Sequence, residues 1–379
     1  MKIALVSPYD FSYPGGVVRH IISLEQYFTR MGHVVKIIAP ASSPVTEYGD
    51  RFIPIGKPRP IPASGSIARI TISLNLKNQV KKVLEREKFD IIHLHEPLVP
   101  TLGPTVLSAS KTCNIGTFHA AESKPSYRWT KAILMKGLYR RWFKKLRGKI
   151  AVSRPARDFI NKHFPSTFTI IPNGIDLKHF QPDLEPISQF MDGKFNIVFV
   201  GRLERRKGFE YLLKAYRLFK PDLPECRLIV VGPGTRLRKK YEKDIRNLDI
   251  KDVVFAGNVP YAELPRYYRT ADVFVAPATG HESFGIILLE AMATGRPVVA
   301  SNISGYASVL THEKEGLLVP PKQEVPLAQA ITRLLRDAPL RGEMGLRGRQ
   351  TAENYGWERV SRQVMDFYLE TLSSSNSKP

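Results

Sequence analysis

Short unbroken apolar runs alternate along this chain with longer segments in which apolar residues recur every three or four positions. The runs have the length of buried strands and the periodic segments that of amphipathic helices. The pattern therefore predicts parallel sheets covered by helices on both faces. Residues 3–7 read as a strand, Pro14-Gly15-Gly16 as a loop, 17–31 as a helix ended by Gly32, and 34–39 as a second strand. The stretch 42–68 is interrupted by Pro and Gly and predicts a loop or an edge strand. A helix over 72–88 and strands over 90–94, 114–118 and 149–153 follow. After a polar linker at 185–194 the pattern restarts, with strands at 196–200, 227–231, 253–256, 272–277 and 297–300 and helices at 209–219, 236–248 and 284–293. A last helix covers 357–372, before a polar tail expected to be disordered. Two doubly wound α/β domains are expected, 1–176 and 177–356.

Charge changes this picture more than composition does. A chain of 379 residues that is 43% hydrophobic is ordinary for a globular protein, whereas a net charge of +22 points to a polyanionic partner, nucleic acid or an anionic membrane surface. Residues 124–157 hold twelve Lys or Arg and no acid. Leu134, Met135, Leu138, Tyr139, Trp142, Phe143 and Leu146 are interleaved with them at helical spacing, which fits a membrane-surface helix and a core helix with a basic flank equally. Lys77, Lys81 and Lys82 mark a second basic amphipathic segment and are candidate membrane contacts. No apolar run approaches a membrane span, the start is too soon interrupted for a signal peptide, and Cys113 and Cys226 suggest no disulfide, so a cytoplasmic protein is expected.

Candidate chemistry concentrates after two strands of the second half. Gly280 to Gly295 leaves one apolar run and leads to the next, with Glu282 in a loop and Glu290 in the following helix. The N–H groups of Phe284, Gly285 and Ile286, beside Ser283, suit a phosphate, and two carboxylates beside an anion site need another ligand, such as sugar hydroxyls. Gly201 to Gly208 also follows a strand, and Arg202 and Lys207 can share one diphosphate. His119 stands at a strand's carboxyl end, where open α/β sheets bind ligands. His93, His95 and Glu96 have no third partner at a recognisable interval, so they read as core or lining and no metal is expected.

The stretch from Glu282 through Ser283-Phe284-Gly285 and Glu290 to Pro297-Val298-Val299-Ala300 resembles the E-x7-E signature of retaining glycosyltransferases of family 4. Gly201-Arg202 with Lys207-Gly208 resembles that family's phosphate loop. The resemblance implies a GT-B fold, two Rossmann-like doubly wound domains facing a central cleft, with the last helix, about 357–379, crossing back to the first. It implies metal-independent transfer from a nucleotide sugar without a cofactor. Glu282 would hold sugar hydroxyls, Glu290 the ribose and Val259 the base, with Gly16 near the pyrophosphate and His119 at the transferred sugar.

In the first half, Pro14 to Val17, Gly65 to Arg69, His93 to Pro97, Thr117 to His119 and the basic helix 77–88 resemble family members that mannosylate phosphatidyl-myo-inositol. That implies GDP-mannose as donor and an anionic lipid acceptor at the inner membrane face, with Tyr9, Gly16, Ser66, Arg69 and Lys124 facing the inositol phosphate. Ala120, Ala121 and Glu122 replace a more hydroxyl-rich stretch and the phosphate loop is one residue shorter. Another donor such as UDP-glucose and other acceptors such as diacylglycerol or a glycan stay open. A non-catalytic binder of membranes or nucleic acid is supported by charge alone. No helix-turn-helix, zinc finger or RNP-type motif accompanies that charge, and no nucleic-acid partner is expected.

Overall fold

The computed structural model describes residues 1–13, 15–63, 66–73, 76–121 and 136–376. It divides into two units, Met1–Gly174 with Trp357–Pro379, and Ile175–Gly356.

The first unit is built on β1 (Lys2–Val6), α1 (Gly16–Arg30), β2 (Val34–Ala39), β3 (Phe52–Pro54), β4 (Pro58–Ala63), β5 (Ser66–Thr71), α2 (Lys77–Glu87), β6 (Ile91–His95), α3 (Leu102–Ala109), β7 (Cys113–Phe118), β8 (Leu146–Ala151) and β9 (Thr169–Ile170). Seven strands form one parallel sheet in the order β3-β2-β1-β6-β7-β8-β9. Both faces are covered, so its central strands are mostly apolar. Ile3, Leu5 and Ile91 face α1 and the last helix, Trp357–Asn376, through Ile21, Leu24, Phe28, Val360, Val364 and Tyr368. Ala4, Val6, Ile92 and Leu94 face α2 and α3.

Several expectations for this unit are revised. The stretch expected as a loop or an edge strand does supply the edge strand β3, and it adds the antiparallel hairpin β4-β5, which was not expected. Pro58, Pro60 and Pro62 occupy every second place of β4, so the missing N–H groups all point to the same side and spare the ladder with β5. The helix expected from residue 72 begins at Lys77. Of the basic segment 124–157, residues 136–157 are described: they begin with a helix, Lys136–Lys144, whose Tyr139, Trp142 and Phe143 pack into the core, and Leu146 opens β8 instead of continuing the helix. The strand expected at 149–153 thus starts three residues earlier. The last helix runs to Asn376, into the stretch expected as a tail, with Ser373 and Ser374 hydroxyls donating to Glu370 O. Among the described residues, no helix is long and apolar enough to cross a membrane.

The second unit holds β10 (Phe195–Val200), β11 (Cys226–Val231), β12 (Val253–Gly257), β13 (Val273–Ala276), β14 (Val298–Ser301) and β15 (Gly316–Val319), parallel and ordered β12-β11-β10-β13-β14-β15. Helices Phe209–Phe219 and Glu324–Arg336 cover one face, and Leu264–Thr270 and Ile286–Ala293 the other. The chain runs outward from β10 to β12 and then restarts beside β10 with β13. The crevice at the carboxyl ends of β10 and β13 is therefore this sheet's switch point, where such sheets bind ligands. In the first sheet the equivalent place lies at the ends of β1 and β6.

Candidate active site

At the switch point of the second unit, the loop after β10 and the loop after β13 are tied together. Thr279 N–H donates to Arg206 O at 2.8 Å. A single 3-10 turn, Arg205–Lys207, turns Arg205 to solvent and the next two side chains inward. Both inward cations reach the same carboxylate oxygen: Arg206 Nη1 stands 2.6 Å and Lys207 Nζ 2.7 Å from Glu282 Oε1. Arg206 Nε also bonds Glu204 Oε2 at 3.0 Å, and Arg202 Nε lies 3.3 Å from Glu204 Oε1. Three cations and two carboxylates thus interlock, with one net positive charge among the five groups. The side chains of Lys207 and Glu282 are only 13% and 15% exposed, so water screens this pair weakly.

Glu282 sits in a strained connection. Gly280 (φ 141°), His281 (φ 60°) and Gly285 (φ 120°) occupy backbone regions that ordinary residues avoid. Gly285 caps the helix Ile286–Ala293, whose first-turn N–H groups have no partner within the helix. That helix is buried and apolar, and Glu290 is buried with it. It is 8% exposed and accepts a hydrogen bond from the Tyr268 hydroxyl at 2.5 Å. Tyr306, fully buried, has a hydroxyl without a partner among the described residues, and the nearby Glu282 charge adds to burial in pushing its pKa far up. Val259 follows the β12 strand, which extends one residue beyond expectation, and packs half-buried against the core beneath this site.

In the first unit, β6 and β7 end side by side and carry a histidine cluster. His93 and His95 lie on the same face of β6. His93 is fully satisfied, its Nδ1 2.6 Å from the Tyr368 hydroxyl and its Nε2 2.6 Å from Thr117 Oγ1, so it is a core residue. His95 Nδ1 instead stands 3.0 Å from His119 Nε2. Glu96, held at φ 49°, accepts the N–H groups of His119 (2.6 Å) and Ala120 (2.7 Å) through Oε1, fixing the backbone that carries His119. From α1 comes His20, its Nδ1 3.0 Å from Asn173 Oδ1 and its ring edge-on to His119.

Tyr9 and Arg69 are brought together, since Tyr9 forms a bridge with Ile70 and Arg69 O accepts the Asp10 N–H at 2.8 Å. The Arg69 guanidinium stacks 4.3 Å above the Tyr13 ring. Gly16 is exposed at the start of α1. Ser66 opens β5, and Lys124 lies outside the described residues. Lys77, Lys81 and Lys82 are exposed on α2, whose Val80 is buried, with Lys81 3.6 Å from Glu85.

Sequence reasoning missed Arg206, Tyr268, Tyr306, His20 and Asn173. Only His20 carried a usable signal, standing four residues before Leu24 on the apolar stripe of α1.

Burial lowers the His93 pKa to about 3 and the His20 pKa to about 4, so both are neutral in the fold and protonate near 6.5 once unfolded. Below pH 6.5 the unfolded state binds the additional protons, and stability falls by about 1.4 kcal/mol per pH unit for each such histidine until its folded pKa is reached. Urea midpoints measured from pH 7 to 4.5 should therefore drop steeply. A flat profile would contradict neutral burial of these rings.

The family description Glycosyltransferase Family 4 matches residues 14–179, and a second, Glycosyl transferases group 1, matches residues 180–351. The phosphatidyl-myo-inositol mannosyltransferase of Mycobacterium leprae is 34% identical over 386 residues, spanning 100% of this chain and 99% of its own. Among solved structures, a sucrose-phosphate synthase from Thermosynechococcus elongatus superposes with a TM-score of 0.78 at 22% identity, over 98% of this chain and 99% of its own. Anabaena HepE, solved in complex with UDP, does so with 0.78 at 20% identity, over 99% and 100%. With both halves matched and a full-length relative at this identity, the chain belongs to the family 4 glycosyltransferases and has their GT-B fold.

Proposed function

We propose that this enzyme is a retaining, metal-independent mannosyltransferase that moves mannose from GDP-mannose to phosphatidyl-myo-inositol, working peripherally at the cytoplasmic face of a membrane. The observation that carries the choice of donor and acceptor is the full-length similarity to a phosphatidyl-myo-inositol mannosyltransferase. The interlocked Arg206, Lys207 and Glu282 support the chemistry.

In the transfer, the bond from mannose C1 to the diphosphate oxygen breaks and a bond from C1 to an inositol hydroxyl oxygen forms, while that hydroxyl loses its proton and GDP leaves. Arg202 and Lys207, with the N–H groups of Phe284, Gly285 and Ile286, take the charge that develops on the diphosphate. Glu282 holds mannose hydroxyls through its carboxylate. Glu290 holds the ribose, Ser283 and Val259 line the nucleotide site, and His119 contacts the mannose. Tyr9, Gly16, Ser66, Arg69 and Lys124 receive the inositol phosphate, and Lys77, Lys81 and Lys82 the anionic surface.

Gly16 offers a clean test of ligand contact, because a Cβ built there meets nothing within 4 Å and its backbone is not in the left-handed region. Gly16→Ala should melt like the wild type yet lose transfer by about 10-fold or more, as expected if the ligand approaches this backbone closely. Unchanged turnover would remove Gly16 from the site. The donor is tested by calorimetric titration in EDTA with GDP, UDP, GDP-mannose and UDP-glucose. Selective binding of the guanosine ligands is expected, and preference for uridine ligands would overturn the donor assignment.

A further inference from the structure

Three elements of the first unit, α1, the end of β6 and the residue after β7, deliver His20, His95 and His119 to one place. Each presents a ring nitrogen, and the three nitrogens lie within 4.8 Å of one another. His20 and His95 are 4% and 1% exposed. The Asn173 carbonyl can only accept, so His20 carries its proton on Nδ1 and keeps a lone pair on Nε2. A metal-bound histidine is oriented in this way, its second nitrogen donating to a carbonyl or carboxylate. His95 Nε2 is buried with no partner among the described residues. Folded interiors rarely leave a polar atom so, and an ion or water is the usual explanation. His93, two residues earlier on the same strand face, shows the contrast, because both its nitrogens are occupied by hydroxyl groups.

We infer that His20, His95 and His119 form a binding site for one divalent transition metal of the zinc class, with Asn173 as the group that orients His20. An all-imidazole set suits zinc, copper or nickel and not magnesium or calcium, which take oxygen ligands. Metal–nitrogen bonds of roughly 2.0–2.1 Å hold tetrahedral ligands roughly 3.4 Å apart. The three nitrogens, within 4.8 Å of one another, are gathered on that scale, and three protein ligands leave a fourth position open. This is not the metal of the transfer reaction, for which Arg202 and Lys207 supply the positive charge. A metal here would occupy His119, so zinc would suppress transfer. That consequence alone rests on the proposed function, and the test therefore reads binding and not activity.

The full chain, dialysed against EDTA and then freed of it, is titrated with Co²⁺ while visible absorption is followed, and then with Zn²⁺. One Co²⁺ per chain should produce the intense visible bands of a four-coordinate site, and one Zn²⁺ should remove them. His20→Ala and His95→Ala should each abolish the bands, with folding checked by circular dichroism. Asn173→Ala, which keeps all three ligands, should weaken binding by roughly 10–100-fold. Asn173→Asp should restore or tighten it, which a purely structural asparagine would not do. Absence of the bands in the wild type, or their persistence in folded His20→Ala, would overturn the inference.

Discussion

Glu282→Ala is expected to lower sugar transfer by about 10³-fold or more while the protein stays folded and still binds the nucleoside diphosphate. The three parts of this expectation have separate physical causes. The carboxylate is where Arg206 and Lys207 converge, so its loss removes the proposed acceptor for sugar hydroxyls and frees both cations at once. The freed cations repel each other, at a cost on the order of 1–2 kcal/mol after allowance for partial exposure. That is modest beside the 5–15 kcal/mol of a typical domain, so folding survives. The same cations become more available to the anionic diphosphate, so GDP should bind as tightly as to the wild type or more tightly. A merely structural glutamate would give the reverse pattern, with reduced melting temperature and weakened GDP binding in parallel. Calorimetry with GDP, a melting curve and a single-turnover assay on the same preparation separate the two. Wild-type turnover in the variant would remove Glu282 from the site.

The second large effect concerns the backbone beneath those cations. Gly208→Ala should destabilise the protein by about 3 kcal/mol or more and lower its melting temperature by roughly 6–12 °C. Gly208 closes the Arg205–Lys207 turn at φ 72°, and a Cβ built on it stands 1.8 Å from Pro277 O and 2.7 Å from Pro277 C. Those atoms are the main chain leaving β13, so no side chain can swing away and one of the two loops must move. The left-handed conformation alone costs alanine about 1–2 kcal/mol, and overlap with the carbonyl adds the rest. Gly208→Asn distinguishes the two contributions. Asparagine tolerates the left-handed region but carries the same Cβ, so it should be nearly as damaging as alanine. Full rescue by asparagine would mean that the close approach of the two loops is not as described. Because that approach carries Arg206 to Thr279 and Lys207 to Glu282, either variant should also weaken diphosphate binding.

Much of the architecture was legible because parallel strands buried on both faces must be mostly apolar. Val273–Ala276 and Val298–Ser301 could hardly be anything else once a helix-length segment separated them. What failed to show follows from the same physics. In β4 the prolines look like loop residues, and only pairing with β5 reveals that they sit where no ladder donor is needed. The helix expected to continue through Leu146 stops at Lys144, because Leu146 is drawn into the sheet beside Asn114. Of the chemistry, Glu282 and Lys207 stood out by spacing and by resemblance, whereas Arg206 is one of three consecutive basic residues. Nothing in one dimension tells which of Arg205, Arg206 and Lys207 faces inward. A 3-10 turn decides it. The histidines show the same limit, since His93 and His95 share a strand face and a residue type. The neighbours that satisfy one and expose the other to His20 and His119 come from distant elements.

The most direct measurement of the central claim is a product assay. The protein is incubated in EDTA with labelled GDP-mannose and vesicles containing phosphatidyl-myo-inositol, the lipids are extracted, and the anomeric configuration of any product is read by NMR. The expected result is one mannose in α linkage on the inositol ring for each GDP released. A β-linked product would contradict retention. An account built on mannosyl transfer to phosphatidylinositol would be contradicted by a folded, GDP-binding protein that leaves this lipid unmodified, all the more if it glycosylates diacylglycerol or draws on UDP-glucose instead.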